Sequence, residues 1–246
     1  MKRLPRPLGS LAIKFLAAAL MLIDHTGAIL FPEVIAIRVI GRPGMPLFTF
    51  LYAEGARYTK NKLRYFLGIA GLSVVCQVGF TVATKSWHLS ALVTFTVSVL
   101  LIFVLKHFKV CLFEKERRMG KILLAGLLFL VSLAAVSVLT RVLSFDYGFT
   151  GCMIPLFASI FDFRGTEAPP WLKRLDTVPV RALTMAIPVL VYASQGLVYA
   201  AALLGIIPLL FYSGKRGERS FKLFFYLFYP LHIVLLYGIA LAVYYL

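Results

Sequence analysis

"LGSLAIKFLAAALMLIDHTGAILF", residues 8–31, decides the fold class of this chain. Its length suits one helical crossing of a bilayer, which takes about 20 mostly apolar residues. The run carries Lys14 towards one end and the adjacent Asp24 and His25 towards the other. It is preceded by Lys2, Arg3 and Arg6, as a secretory signal would be. A signal has a short apolar core and a cleavage site of small residues. Here the run is long, Lys14 interrupts it and no such site follows, so it reads as a first transmembrane helix.

The rest of the chain repeats the pattern. Of 246 residues, 61% are hydrophobic, and the mean hydropathy is +0.89. Soluble domains are about half apolar. The expected fold is an all-α polytopic membrane protein, a single domain over 1–246. Nine apolar segments qualify as spans: 8–31, 34–57, 63–84, 88–107, 121–142, 146–163, 178–194, 196–212 and 221–245. The seventh and eighth share one apolar run with only Ser194, Gln195 and Gly196 to interrupt it. Read as one kinked helix, they would leave eight spans.

The chain has 26 Lys+Arg against 10 Asp+Glu. In a soluble protein that excess would suggest nucleic acid. In a membrane protein it marks cytoplasmic loops, which are enriched in Lys and Arg. An N-terminus placed in the cytoplasm puts four basic groups of loops beside Lys2, Arg3 and Arg6. They are Arg57, Lys60, Lys62, Arg64; Lys106, Lys109, Lys115, Arg117, Arg118, Lys121; Arg164, Lys173, Arg174, Arg181; and Lys215, Arg216, Arg219, Lys222. Only Lys85 and Arg141 then fall outside. The expected location is a bacterial cytoplasmic membrane, N-terminus inside. The lipid bilayer is an expected partner and nucleic acid is not. Cys76, Cys111 and Cys152 are scattered, without zinc spacing, and no metal is expected.

Lys14, Arg38 and Arg42 fall inside spans. Charge there is costly and normally faces a bundle interior or a water-filled cavity. Lys14 and His25 are eleven residues apart, close to three turns, so they share a face about 16 Å apart along the axis. Two readings fit: a snorkelling lysine with a satisfied interior histidine, or a functional pair. Asp24 points about 100° away from His25, because neighbours on a helix do not face each other. It is expected to pair with Arg38 or Arg42 on the next helix. Those arginines are four apart and alike in charge, so with Lys14 they leave a positive excess that an anion would balance. Phosphate suits arginine forks.

The stretch "RVIGRPGMPLFTFLYAEG", from residue 38, has Pro43 and Pro46, which break regular helix. Irregular backbone at membrane depth is tolerated where it is buried or lines a cavity. Glu54 lies near the inner end of that segment, where Arg57 and Tyr58 are expected to satisfy it. In "FDYGFTG", residues 145–151, Asp146 is expected to cap the sixth span or, with Tyr147, to form an outer mouth. His232 follows Pro230 near mid-membrane, as a core histidine or a pocket residue. His88 and His107 fall at helix ends.

Four segments carry a resemblance to the TraX family of membrane proteins, named for the protein linked to N-terminal acetylation of F-pilin. They are "MLIDHTGAILFP" (21–32), "RVIGRPGMPLFTFLYAEGARYTKN" (38–61), "FDYGFTG" (145–151) and "LFFYLFYPLHIVLLY" (223–237). The chain is more distantly similar to the transmembrane acyltransferases of acyltransferase family 3. In those a basic residue precedes a catalytic histidine by eleven positions, as Lys14 precedes His25. The resemblance implies an acyl-CoA donor, acetyl-CoA first, and an extracytoplasmic or membrane acceptor. His25 would be the general base, since an imidazole suits that role near neutral pH. Asp24 would orient the site, with Lys14, Arg38 and Arg42 holding the anionic donor; Glu54, Tyr147 and His232 are further pocket candidates. Two other functions fit the same residues: a transporter or flippase for an anionic solute, in which Asp24 and His25 relay protons, and a non-catalytic assembly factor.

Overall fold

A computed structural model describes residues 7–116, 118–215 and 221–245. The basic residues Lys2, Arg3, Arg6, Arg117, Arg216 and Arg219 lie outside the described residues, as does the side chain of Lys222. The fold is helical. Among the described residues, five helices are long and apolar enough to cross a membrane: Ser10–Ile29, Lys62–Val82, Ala91–Leu112, Met119–Val142 and Leu223–Val243. The other expected spans are shorter or broken. The chain divides into two compact units, residues 1–48 with 189–246, and residues 49–188.

The first unit begins with α1 (Ser10–Ile29). Pro32 disfavours helical backbone at the residue before it, and the chain turns there, with the Val34 amide bonded to the Phe31 carbonyl at 2.9 Å. The seven-residue α2 (Ile35–Gly41) then packs against α1. The two backbones nearly touch. A Cβ on Gly41 would stand 2.2 Å from the Asp24 nitrogen, and one on Gly27 would stand 2.9 Å from Cγ of Arg38. Small residues allow this approach between membrane helices. At Arg42–Pro43 the helix stops, and α3 (Gly44–Tyr58) starts. Proline has no N–H for a preceding turn, so the segment expected as one span is two helices.

The long apolar run near the C-terminus is also interrupted. The helix α9 (Val178–Ala193) stops there, and Gly196 takes φ 139°, a value few side chains tolerate. A stack of short turns follows: α10 (Leu197–Ala200), a 3-10 turn (Ala201–Gly205) and α11 (Ile206–Leu210). The last helix, α12 (Lys222–Tyr245), contains Pro230 and lies against α1.

The second unit holds α4 (Lys62–Thr84), α5 (Ala91–Leu112), α6 (Met119–Val142), α7 (Gly148–Phe157) and the short α8 (Pro170–Lys173). It also holds the last turns of α3 and α9 (Val178–Ala193) up to Pro188. Asn61 caps α4 by accepting from the Arg64 amide at 2.8 Å, as short polar side chains do at N-caps. Gln77 ties the α4–α5 connection down. Its Nε2 donates to the His88 carbonyl at 2.9 Å and its Oε1 accepts from the Ser90 amide at 2.8 Å. The helix α5 is the buried centre of the unit and touches α4, α6 and α7.

Candidate functional site

Two sets of polar side chains meet around α1 in the first unit, on different faces of the helix. Asp24 faces α2. Its Oδ1 lies 3.4 Å from a terminal nitrogen of Arg42 and 3.7 Å from Nε of Arg38. Both separations exceed the roughly 2.7–2.9 Å of tight charge-assisted bonds. One carboxylate therefore stands between two guanidinium groups. Arg42 is buried at the break between α2 and α3, with its guanidinium 5.8 Å from the centre of the Tyr199 ring on α10. The Arg38 side chain is 36% exposed.

His25 faces α12. Its Nδ1 lies 2.7 Å from Nε2 of His232, and Nδ1 of His232 lies 2.7 Å from the Phe228 carbonyl oxygen. The two ring planes are 19° apart and the centroids 5.0 Å. With the nitrogens much closer than the centroids, the rings meet edge to edge. Tyr229 stands nearly perpendicular to both, at 6.4 Å from His25 and 5.7 Å from His232. Pro230 lies between the residues that build this corner.

Lys14 is placed elsewhere. It sits ten residues before Asp24 on α1, about 15 Å along the axis, with Nζ 5.7 Å over the Phe225 ring of α12. The structure brings Asp24 together with Arg38 and Arg42, and His25 with His232, but does not gather Lys14 with the arginines.

Glu54 and Tyr147 belong to the second unit. Glu54 pairs there with the fully buried Arg181, and its charge also acts on Arg57. Arg57 serves Asp162 at 2.9 Å and also Asp176. Tyr147, with φ 63°, occupies the N-cap of α7, where no side chain makes a capping bond. The main chain of Asp146 ties this turn to the start of α5. The Asp146 amide donates to the Leu89 carbonyl at 2.7 Å, and its carbonyl accepts from Thr94 Oγ1 at 2.6 Å. The Tyr147 ring is parallel to Phe95 at 6.1 Å.

Several residues taken from the sequence as loop anchors are structural. Helix C-termini leave carbonyls without intrahelical partners. At the end of α7, Thr184 bonds the Phe157 carbonyl at 3.1 Å and Arg181 Nε bonds that of Ala158 at 2.8 Å. Lys109 Nζ bonds those of Ser159, Ile160 and Asp162 at 2.7, 2.6 and 3.2 Å. Neither Lys109 nor Arg181 is a solvated loop residue. The clue in the sequence was the scarcity of acids: Glu54, Asp162 and Asp176 each need a cation in so apolar a chain.

The family model for the TraX protein matches residues 10–240, which takes in α1, the Asp24 and His25 contacts and nearly all of α12. The chain belongs to the TraX family. It is 25% identical over 232 residues to a probable fimbrial assembly protein, FimC of serogroup H1, from Dichelobacter nodosus; the match covers 91% of this chain and 92% of that one. It is 37% identical over 75 residues to the uncharacterized protein RP591 of Rickettsia prowazekii, covering 30% of this chain and 28% of the other. No solved structure matches this TraX-family chain.

Proposed function

We propose that the chain is a membrane-embedded acyltransferase, an acetyltransferase in the first instance. It would move an acyl group from cytoplasmic acyl-CoA to an amine or hydroxyl at the outer side of the membrane. The observation that carries this reading is the imidazole of His25, half-buried within a membrane helix and held by a second imidazole. Membership of TraX, a family linked to pilin acetylation, supports it, and the fimbrial assembly relative makes a pilin-like N-terminus the leading acceptor. The spacing of Lys14 and His25, shared with acyltransferase family 3, agrees with it.

The acyl-CoA thioester supplies the activated acyl group. The chain's own residues do the rest. His25 takes the proton from the acceptor, as a general base positioned by hydrogen bonding does. Arg38 and Arg42, on either side of the Asp24 carboxylate, hold the anionic part of the donor, as arginine forks suit phosphate. Asp24 fixes the arginines. Lys14 lies towards the cytoplasmic end, where a long anionic donor enters. The matching topology has the N-terminus inside, nine spans and the bacterial cytoplasmic membrane as location. Single cysteines at positions 85 and 141, in a chain with Cys76, Cys111 and Cys152 replaced by serine, would react with an impermeant maleimide in intact cells. A cysteine at position 115 would not.

The activity is tested in membranes with radiolabelled acetyl-CoA and a pilin-like peptide. Transfer by the wild type and its loss in folded His25→Ala is the expected result. Undiminished transfer by that variant would remove His25 from the reaction. The name of the Dichelobacter relative favours a second reading, an assembly factor without catalysis. In that case His25→Ala would leave fimbrial assembly intact.

A further inference from the structure

The His25–His232 contact has a direction, and the direction follows from the far end. The Phe228 carbonyl only accepts hydrogen bonds, so Nδ1 of His232, 2.7 Å away, must carry a hydrogen. A second hydrogen on His232 would place an imidazolium inside a membrane helix, which is costly without an anion beside it. His232 is therefore neutral, and its Nε2 holds a lone pair. Across the 2.7 Å contact, Nδ1 of His25 must donate to that lone pair. A neutral imidazole has one N–H, and the hydrogen bond at one nitrogen fixes the state of the other. Nε2 of His25 is left bare.

We propose that His232 is a positioning residue for His25. It holds the imidazole as the Nδ1–H tautomer and leaves Nε2 as the proton acceptor. The inference rests on the acyltransferase reading for its use in catalysis, though not for its geometry. In the transfer, the acceptor nitrogen or oxygen forms a bond to the acyl carbon and the carbon–sulfur bond breaks. The acceptor's proton passes to Nε2 of His25 and from there to the leaving sulfur. While His25 is cationic, its Nδ1–H still donates to His232, now as a charge-assisted bond. Three groups in series, base, orienting ring and carbonyl, do what the base and its orienting acid do in hydrolytic triads. Tyr229 and Phe228 wall the pair, and the near-parallel Phe228 ring lies 4.8 Å from His232.

The tautomer is read by nitrogen-15 NMR of histidine-labelled wild-type protein in bilayers, with His25→Gln and His232→Gln spectra giving the assignments. Both residues are expected to carry hydrogen on Nδ1 and none on Nε2. Hydrogen on Nε2 of His25 overturns the proposal. Kinetics give the second arm. His232→Phe is expected to lower kcat about tenfold or more, with KM for acetyl-CoA unchanged. His232→Gln, whose side-chain oxygen reaches where Nε2 was, restores most of it. A phenylalanine variant with wild-type kcat, or a glutamine variant no better than phenylalanine, overturns the positioning role. A wild-type chain that transfers no acetyl group sinks the acyltransferase reading instead, and the tautomer measured on the same protein still decides the hydrogen-bond chain.

Discussion

Glu54 and Arg181 stand 127 positions apart and form an ion pair whose side chains are only 7% and 2% exposed. Removing one partner from such a pair leaves an uncompensated charge, at a cost of about 3–5 kcal/mol, whereas replacing both with apolar residues is often neutral. Glu54→Gln is therefore expected to unfold at clearly lower temperature in detergent. Glu54→Leu combined with Arg181→Met should recover most of the loss. Additive effects of the two single changes in a double-mutant cycle would show that the groups do not depend on each other.

Lys109 closes the end of α7 through three carbonyls. Lys109→Met leaves those oxygens without their donor, and bonds from a charged donor are worth about 1.5–3 kcal/mol each. Hydrogen exchange should rise across residues 158–163 and leave α6 unchanged. Equal exchange in both proteins would mean that the turn is held by its backbone alone.

Gly41 meets the Asp24 backbone, while Gly68 has nothing near its missing Cβ. Gly41→Ala must push α1 and α2 apart, and overpacking of this kind costs about 1–3 kcal/mol or more. Gly68→Ala is the matched control. The expected outcome is poor folding yield for the first and an unaltered yield for the second. Comparable yields would mean that the two helices separate easily.

Asp24 and its arginines divide by burial. Asp24→Asn removes the carboxylate beside Arg42, whose side chain is 4% exposed. Its cost is expected near 3 kcal/mol. Arg38→Gln, at 36% exposed, is expected to cost about 1 kcal/mol or less and to act mainly by raising KM for acetyl-CoA. Denaturation midpoints give the first comparison and initial rates the second.

The sequence carried the helical membrane class through composition, and the polar anomalies of the first helix through their rarity. It placed Asp24 away from His25 because helix geometry separates neighbours. The break at Arg42–Pro43 was legible because proline leaves a helix no donor. Other contacts had no local signal. His25 and His232 are 207 positions apart, and nothing in the spacing of either helix says which faces meet. For Glu54 the sequence offered its neighbours Arg57 and Tyr58, because local pairs are visible in sequence, whereas Arg181, the partner from α9, is not. Lys109 and Arg181 were counted as loop charges because positive-inside statistics describe location and not burial.

The shortness of α2 bears on how the protein is made. Seven residues span about 10 Å as a helix, and Arg38 lies in the middle of them. Such a segment has too little apolar length to leave the translocon for lipid by itself. The carboxylate that offsets its arginines belongs to α1, which emerges from the ribosome first. Insertion of this region is therefore expected to be sequential, with α1 as the docking partner of α2, and Asp24→Asn is expected to lower the amount of chain inserted as well as its stability.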